Sequence, residues 1–505
     1  MQSRAMILAL DQGTTGSVAV VVDDDGRVVA SVDREIAQHY PQPGWVEHDP
    51  EEVFRTTVDV GREAIARAGV APSTIAAIGI TNQRETTVVW ERATGRPVHP
   101  AVVWQSRASA PVCESLRRAG REALFRERTG LTIDAYFSAT KIRFILDRIP
   151  DGQRRADAGE LLFGTIDTWL LWRLSNGTVH ATDTTNASRT LLFDIRRGRW
   201  DDDLLRALDV PRVMLPDVQP SSGRFAEAGP EHFGAPLRIS GVAGDQHAAL
   251  LGQACTRAGE AKNTYGTGCF LLANTGADLR RADGLLTTIA IDLGSSRSYA
   301  LEGSAFVTGA AVQWLRDGLG VIADAAETEA LAASLPGNDG VYLVPAFVGL
   351  GAPHWDMYAR GLLIGISRGT TRAHLARATL ESIAYQTRDL VEAMRRAGQP
   401  LSALRVDGGG TANRFLMQFQ ADLLGVPVEV AAVREMTALG AAYLAGLAVG
   451  VWKGADDLRA LRRGAERFEP RMSRDEGDGL YARWLQAVER AKGWEPSVAE
   501  PGPAS

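Results

Sequence analysis

The run Ala5-Met-Ile-Leu-Ala-Leu10 leads straight into Asp11-Gln-Gly-Thr-Thr-Gly-Ser17 and then into the β-branched run Val18–Val22. Two apolar runs flanking a small polar turn read as a pair of strands. The acidic turn Asp23-Asp-Asp-Gly26 closes the second strand, and Val28–Ile36 supplies a third. The chain therefore opens on an antiparallel meander. Beyond it, helices and strands alternate. Pro50–Ala68 has helical periodicity, Ile75–Thr81 reads as a strand, and Thr86–Trp90 and Ala101–Trp104 read as further strands. Such alternation predicts an α/β protein with helices packed on sheet faces.

Near the middle the pattern restarts. Ile239-Ser-Gly-Val-Ala-Gly-Asp-Gln246 is a strand and turn entering an Ala/Leu helix. Ala261–Ala273 gives a second strand–turn–strand around Gly266-Thr-Gly268, and Leu404-Arg-Val-Asp-Gly-Gly-Gly-Thr411 gives a third small polar turn before a helix. The repetition predicts two related α/β lobes facing one cleft, residues 1–252 and 253–505, with no low-complexity linker between them. Met436–Trp452 is uncharged but Ala/Gly-rich and only 17 residues long, so it reads as a buried core helix and not as a membrane span. The tail from Glu495, with three prolines, reads as disordered.

Composition narrows the function. The 505 residues are 45% apolar and 23% charged, ordinary values for a globular chain. With 55 basic against 61 acidic residues, the net charge of −6 leaves no excess to neutralise a phosphate backbone, so nucleic acid is not an expected partner. The three cysteines lack metal-ligand spacing and fit a reducing cytoplasm, and a membrane association would be peripheral at most. No Gly-Lys dipeptide occurs, which removes a Walker A loop, and there is no His-Glu-x-x-His. Gly365-Ile-Ser-Arg-Gly369 matches a nucleophile elbow, but the one histidine beyond it, His374, follows too closely to serve as its base.

In Asp11-Gln-Gly-Thr-Thr-Gly16, Gly13 allows close approach of an anion, and the Thr14 and Thr15 hydroxyls and nearby N–H groups can donate to phosphate oxygens. Asp11 at the strand end suits Mg²⁺, held through water. Asp245 ends a later strand and suits acceptance of a hydroxyl proton. The plainer readings are a capped hairpin for Asp11 and a helix N-cap for Asp245. Four such turns in one chain favour the functional alternative. Arg84 and Glu85, in Thr81-Asn-Gln-Arg-Glu-Thr-Thr87, offer donors and acceptors for vicinal hydroxyls, against the plainer reading of a solvated loop with an ion pair. Trp104 and Phe270 either stack on a carbon skeleton or are ordinary core aromatics.

The strings Leu10-Asp-Gln-Gly-Thr-Thr15, Pro43-Gly-Trp-Val-Glu-His-Asp-Pro50, Gly79-Ile-Thr-Asn-Gln-Arg-Glu-Thr-Thr87, Asn263-Thr-Tyr-Gly-Thr-Gly268 and Ala384-Tyr-Gln-Thr-Arg-Asp389 resemble the FGGY family of carbohydrate kinases, from Ala9 to about Trp494. Leu363-Ile-Gly-Ile-Ser-Arg-Gly369 fits the same family pattern. The resemblance implies two ribonuclease H/actin-like domains, with mixed five-stranded sheets and flanking helices, around a central cleft. It also implies transfer of phosphate from ATP to glycerol, with Mg²⁺, in a cytoplasmic homodimer or homotetramer. By motif, Thr14, Thr15 and Gly16 fall on the phosphate turn. Arg84, Glu85, Trp104, Tyr136, Asp245, Gln246 and Phe270 fall on the polyol site. Thr267, Gly309, Gln313, Gly409 and Asn413 fall on the nucleotide site. Asp245 takes the part of general base, with Asp11 beside the metal. The alternatives are a kinase of this family for another polyol or a ketose, and an actin- or Hsp70-like protein that uses ATP without a polyol. Two departures stand out: Val18 where an arginine is usual, and His247 where a second glutamine is usual. His232-Phe233-Gly234 resembles, one residue short, a loop phosphorylated on histidine in some members; the plainer reading is an unmodified loop residue.

Overall fold

The computed structural model describes residues 5–462 and 466–495; the sequence expectation about the tail falls, beyond Glu495, outside the described residues. The opening meander forms as β1 (Met6–Gln12), β2 (Gly16–Val22) and β3 (Val28–Glu35). It joins β4 (Ile75–Asn82), β5 (Ser222–Ala228) and β6 (Leu237–Gly244) in a six-stranded sheet of order β5-β6-β4-β1-β2-β3. The second half repeats the plan. β7 (Ala261–Tyr265), β8 (Cys269–Gly276), β9 (Leu286–Asp292), β10 (Arg297–Ala305), β11 (Leu404–Asp407), β12 (Val428–Val430) and β13 (Glu466–Phe468) form a seven-stranded sheet, β9-β10-β8-β7-β11-β12-β13.

Both sheets contain the same five strands in the same sense: β3-β2-β1-β4-β6 and β10-β8-β7-β11-β12. In each the first three are antiparallel and the last two add in parallel. The expected five-stranded sheets are thus cores, extended by one edge strand in the first lobe and two in the second. The segments Val88–Glu91 and Ala101–Val102 are strands, but each pairs in a separate two-stranded ribbon and joins neither main sheet.

Strand β1 is apolar at successive positions because both its faces are covered. Leu8 and Leu10 pack with Val53 and Val58 of α1 (Pro50–Ala68), while Ile7 and Ala9 pack with Leu439 and Leu444 on the other side. Helix α1 begins where Asp49 accepts from the Glu51 N–H, carries Pro50 in its first turn, and stops at Gly69 with φ 66°. The cover on the far side comes from the other half of the chain.

That cover is the uncharged helix read from sequence, Met436–Ala448. This late helix, α4, lies across β1, β4, β5 and β6 and crosses α3 (Asp245–Gly252), the helix that follows β6; the short helix Thr184–Ala187 before them is α2. The crossing is backbone on backbone. A Cβ on Gly440 would lie 1.8 Å from the Ala248 carbonyl oxygen, and one on Gly252 would lie 2.0 Å from that of Met436. Gly440→Ala should therefore lower stability by about 1–3 kcal/mol, read as a fall in the melting midpoint. An unchanged midpoint would mean that the helices separate without cost.

Candidate functional site

Register brings the site together. Asp11 on β1 pairs with Thr81 on β4, Gln12 with Asn82, and Asn82 with Gly244 on β6. The carboxyl ends of three parallel strands are level, and the polar segments that follow them form one rim, where α/β sheets bind ligands. In the second sheet Thr264 pairs with Asp407, so Gly266-Thr-Gly268 and Gly408-Gly-Gly410 form a second rim. The rims meet: the rings of Trp104 and Phe270, one from each lobe, are 5.9 Å apart, and Trp104 is 5.6 Å from Tyr136.

Arg84 and Glu85 are 2% and 1% exposed, which excludes the solvated-loop reading. Glu85 has φ 60°, a conformation that side chains other than glycine's rarely adopt and that tends to occur at functional sites. The Arg84 guanidinium donates through Nη1 and Nη2 to Glu302 at 2.7 and 2.9 Å, and its Nε lies 3.1 Å from Asp245 Oδ1. Arg189 donates from Nε to Glu85 at 2.6 Å and from Nη2 to Glu302 at 3.1 Å. Burial raises the Glu85 carboxyl above the usual range, against the pull of Arg84 and Arg189. For Glu302 burial is outweighed by Arg189 and Arg84, and the carboxyl falls to about 2.

Asp245 is the first residue of α3, with Gly244 in the capping position, so the N-cap reading of Asp245 is corrected. Its Oδ1 also accepts from the Gln246 N–H at 2.6 Å. Asp11, in the first rim, is pushed up to about 8 by burial and then by the charge of Asp245. Gln246 accepts from the buried Lys262 of β7, which also donates to Thr264 at 2.9 Å. Burial lowers Lys262 to about 8, while Asp407 and Asp245 oppose the shift. His247 is buried, its Nε2 lies 3.3 Å from Thr288 Oγ1, and burial holds it neutral.

The first turn is tied down around its two threonines. Trp104 Nε1 donates to Thr14 Oγ1 at 2.8 Å, and the Gly13 N–H donates to the Gly16 carbonyl at 2.8 Å. Thr15 is exposed at the tip. Gly16 is small because a Cβ there would lie 2.5 Å from the Arg34 carbonyl on β3. Val18 lies opposite Asp11 in the ladder and packs toward the core between the lobes, so it offers no cation to the turn.

In the second lobe a cavity of about 880 Å³ is lined by Thr267, Gly309, Gln313, Gly409 and Asn413 together with Leu380, Ile383 and Leu416. An apolar floor with backbone turns and two amides at its edge suits a planar heterocycle with a phosphate tail. Asn413 caps the helix Arg414–Leu424 by accepting from the Leu416 N–H. Gly309 lets its loop sit on Gly266, where a Cβ would lie 2.5 Å from the carbonyl oxygen.

The sequence reading missed Glu302, Arg189 and Lys262. Glu302 is one acid in the otherwise uncharged stretch Ser298–Ala305, and Lys262 is one of four lysines in the chain; both signals were available. Arg189 follows α2, whose Thr185 accepts from the Gly244 N–H at 3.0 Å and whose Asn186 exchanges amide hydrogen bonds with Asn82. At the elbow-like string, His374 Nδ1 lies 3.0 Å from Thr371 Oγ1 and its Nε2 lies 3.1 Å from Asp339, so it does not serve Ser367. His232 lies edge-on to Phe54 with Glu231 3.5 Å from its Nε2, and its side chain is 12% exposed.

The sequence matches the FGGY family of carbohydrate kinases, N-terminal domain, over residues 6–252, and the C-terminal domain of that family over residues 261–449. It is 58% identical over 491 residues to glycerol kinase 2 of Thermotoga maritima, covering 97% of this chain and 99% of that one. It is 55% identical over 497 residues to the glycerol kinase of Deinococcus radiodurans, covering 98% and 99%. Among solved structures, the glycerol kinase of Plasmodium falciparum with ADP is similar at a TM-score of 0.89 and 36% identity, over 96% of this chain and 98% of that one.

Proposed function

Because the chain belongs to the FGGY family of carbohydrate kinases, we propose that it is a glycerol kinase, transferring the γ-phosphoryl group of ATP to glycerol to give sn-glycerol 3-phosphate. The observation that carries this reading is the buried Arg84–Glu85 pair beside Asp245, in a chain 55% identical or more to relatives named glycerol kinases. Glycerol would bind at Arg84, Glu85, Tyr136, Asp245 and Gln246, with its carbon skeleton against Trp104 and Phe270. ATP would lie in the second-lobe cavity, at Thr267, Gly309, Gln313, Gly409 and Asn413, with its phosphates toward Thr14, Thr15 and Gly16. The two domains would divide at residue 252.

Chemistry follows from how Asp245 is held. Arg84 Nε and the Gln246 N–H both engage Oδ1, so Oδ2 is the oxygen that accepts the proton of the terminal hydroxyl as that oxygen attacks the γ-phosphorus. N–H groups of the first turn receive charge from the transferring phosphoryl group. The carboxylates of Asp11 and Asp245 are hard oxygen donors whose mutual repulsion contributes to raising Asp11, a donor set that fits Mg²⁺. When bound, Mg²⁺ would supply neutralisation of phosphate charge.

A coupled ADP-release assay with and without glycerol tests the reading. Release that a ketose stimulates and glycerol does not would overturn it. Arg84→Ala should lower kcat/KM for glycerol about 10–150-fold, the range of one charged hydrogen bond. An unaltered kcat/KM would return Arg84 to a purely structural role. The cytoplasmic location and the homodimer or homotetramer are further parts of this reading. Three buried free thiols suit a reducing compartment, and no helix among the described residues is long and apolar enough to cross a membrane.

A further inference from the structure

We propose that Glu302, on β10 of the second lobe, is a positioning residue for the alcohol substrate: it aims Arg84 and, through Arg189, Glu85, so that the polyol face of the first lobe is complete only when the lobes are in contact. This rests on the reading of the site as one for glycerol and deepens it, since nothing above gives Glu302 a role in the reaction.

A guanidinium is planar, with its N–H groups in a fixed fork. Glu302 takes the two terminal nitrogens of Arg84 at 2.7 and 2.9 Å, the two-point geometry that fixes orientation as well as energy. With those two held, the plane of the guanidinium is fixed, and its Nε is kept in ion-pair contact with Asp245 Oδ1, 3.1 Å away. The same carboxylate acts a second time through Arg189. Glu302 Oε1 accepts from Arg189 Nη2, and Arg189 Nε holds Glu85 Oε1. Arg189 has little freedom of its own, with its guanidinium carbon 5.2 Å from the Phe137 ring centre and 5.6 Å from that of Tyr136.

Burial makes these contacts rigid. Glu302 and Arg189 are both fully buried, and an unpaired charge there is expensive, so neither can swing aside for water. Arg84, Glu85 and Arg189 come from the first lobe and Glu302 from the second. The strand that carries Glu302 ends at Ala305 and leads directly into Thr308 and Gly309, which line the nucleotide cavity. Glu302 is thus joined to the wall of the nucleotide cavity by a short run of chain, with five residues between it and Thr308. A shift of this strand moves the anchor of Arg84, which couples alcohol affinity to the second lobe, reciprocally by linkage.

The test is steady-state kinetics with glycerol and ATP varied in turn, for wild type, Glu302→Gln, Glu302→Asp and Val488→Ala. Val488 is buried in the helix Arg474–Ala491, away from the site, and its truncation controls for lost stability. Glu302→Gln keeps the shape but presents an amide N–H₂ to one Arg84 nitrogen. Its glycerol KM should rise about 10–150-fold, the range of one charged hydrogen bond, with the ATP KM within about twofold. Glu302→Asp keeps the charge at a shorter reach and should fall between it and wild type. Val488→Ala should lower the melting midpoint and leave the glycerol KM unaltered. An unchanged glycerol KM in Glu302→Gln overturns the proposal, as does an equal rise for ATP or the same rise in Val488→Ala. Should Glu302→Gln not fold, an unchanged KM in Glu302→Asp decides against it. A wild type without glycerol-dependent ADP release sinks the glycerol reading itself, and the proposal falls with it.

Discussion

Asp245→Asn should reduce kcat with glycerol by about 10²–10⁴, the range of a general base, and leave ATP affinity nearly unaltered. The substitution separates shape from basicity. An asparagine Oδ1 can still accept from the Gln246 N–H and lie beside Arg84 Nε, the two contacts that hold the carboxylate. What it cannot do is take the proton of the attacking hydroxyl. The loss should therefore appear in turnover and not in the melting midpoint. Single-turnover measurement of phosphate transfer, alongside titration of ATP binding, reads both quantities. Near-full turnover in Asp245→Asn would falsify the assignment of Asp245 as base.

Arg189→Met should destabilise the fold by about 3–5 kcal/mol, the cost of breaking a buried ion pair from one side. Methionine approximates the length of the arginine stem but leaves Glu85 without its 2.6 Å donor and Glu302 with Arg84 alone. Chemical denaturation should show a lowered midpoint. The double variant Arg189→Met, Glu85→Gln should recover part of the loss, because it removes the orphaned charge. The acid side supplies a second readout. Glu302 titrates at about 2 in the folded chain against an ordinary 4.5, so the stability it contributes is complete above pH 4.5 and is lost as pH falls towards 2. With Arg189 gone, that acid-side loss should shrink. A variant as stable as wild type at neutral pH would mean that the buried charges have other compensation.

The doubling of the fold was legible because each half begins with the same local pattern: apolar strand, small polar turn, apolar strand. The strand ends carrying Asp11, Arg84 and Asp245 could be named for the same reason, since a polar cluster directly after an apolar run marks a rim. Two of the strands that extend the five-stranded cores were not legible: β5 alternates weakly, and β13 has three residues, too few to show a period. Glu302 escaped because its role depends on a partner 218 residues away in sequence, and local periodicity carries no information about such pairings. Arg84 and Glu85 illustrate the opposite limit. Their chemistry was readable from the Asn82-Gln-Arg-Glu85 string, but their near-complete burial was not, since charged neighbours in a polar segment most often face water.

The crossing of α3 and α4 has a consequence for the newborn chain. All strands of the six-stranded sheet have been synthesised by Gly244, yet the helix that covers one of its faces ends only at Ala448. Throughout the intervening synthesis, Ile7, Ala9, Val20 and Val22 lack the cover that Leu439 and Leu444 later give them. Apolar surface waiting on a distant segment invites aggregation and engages chaperones. The first lobe thus leaves the ribosome before the segment that completes its burial, which comes with the second.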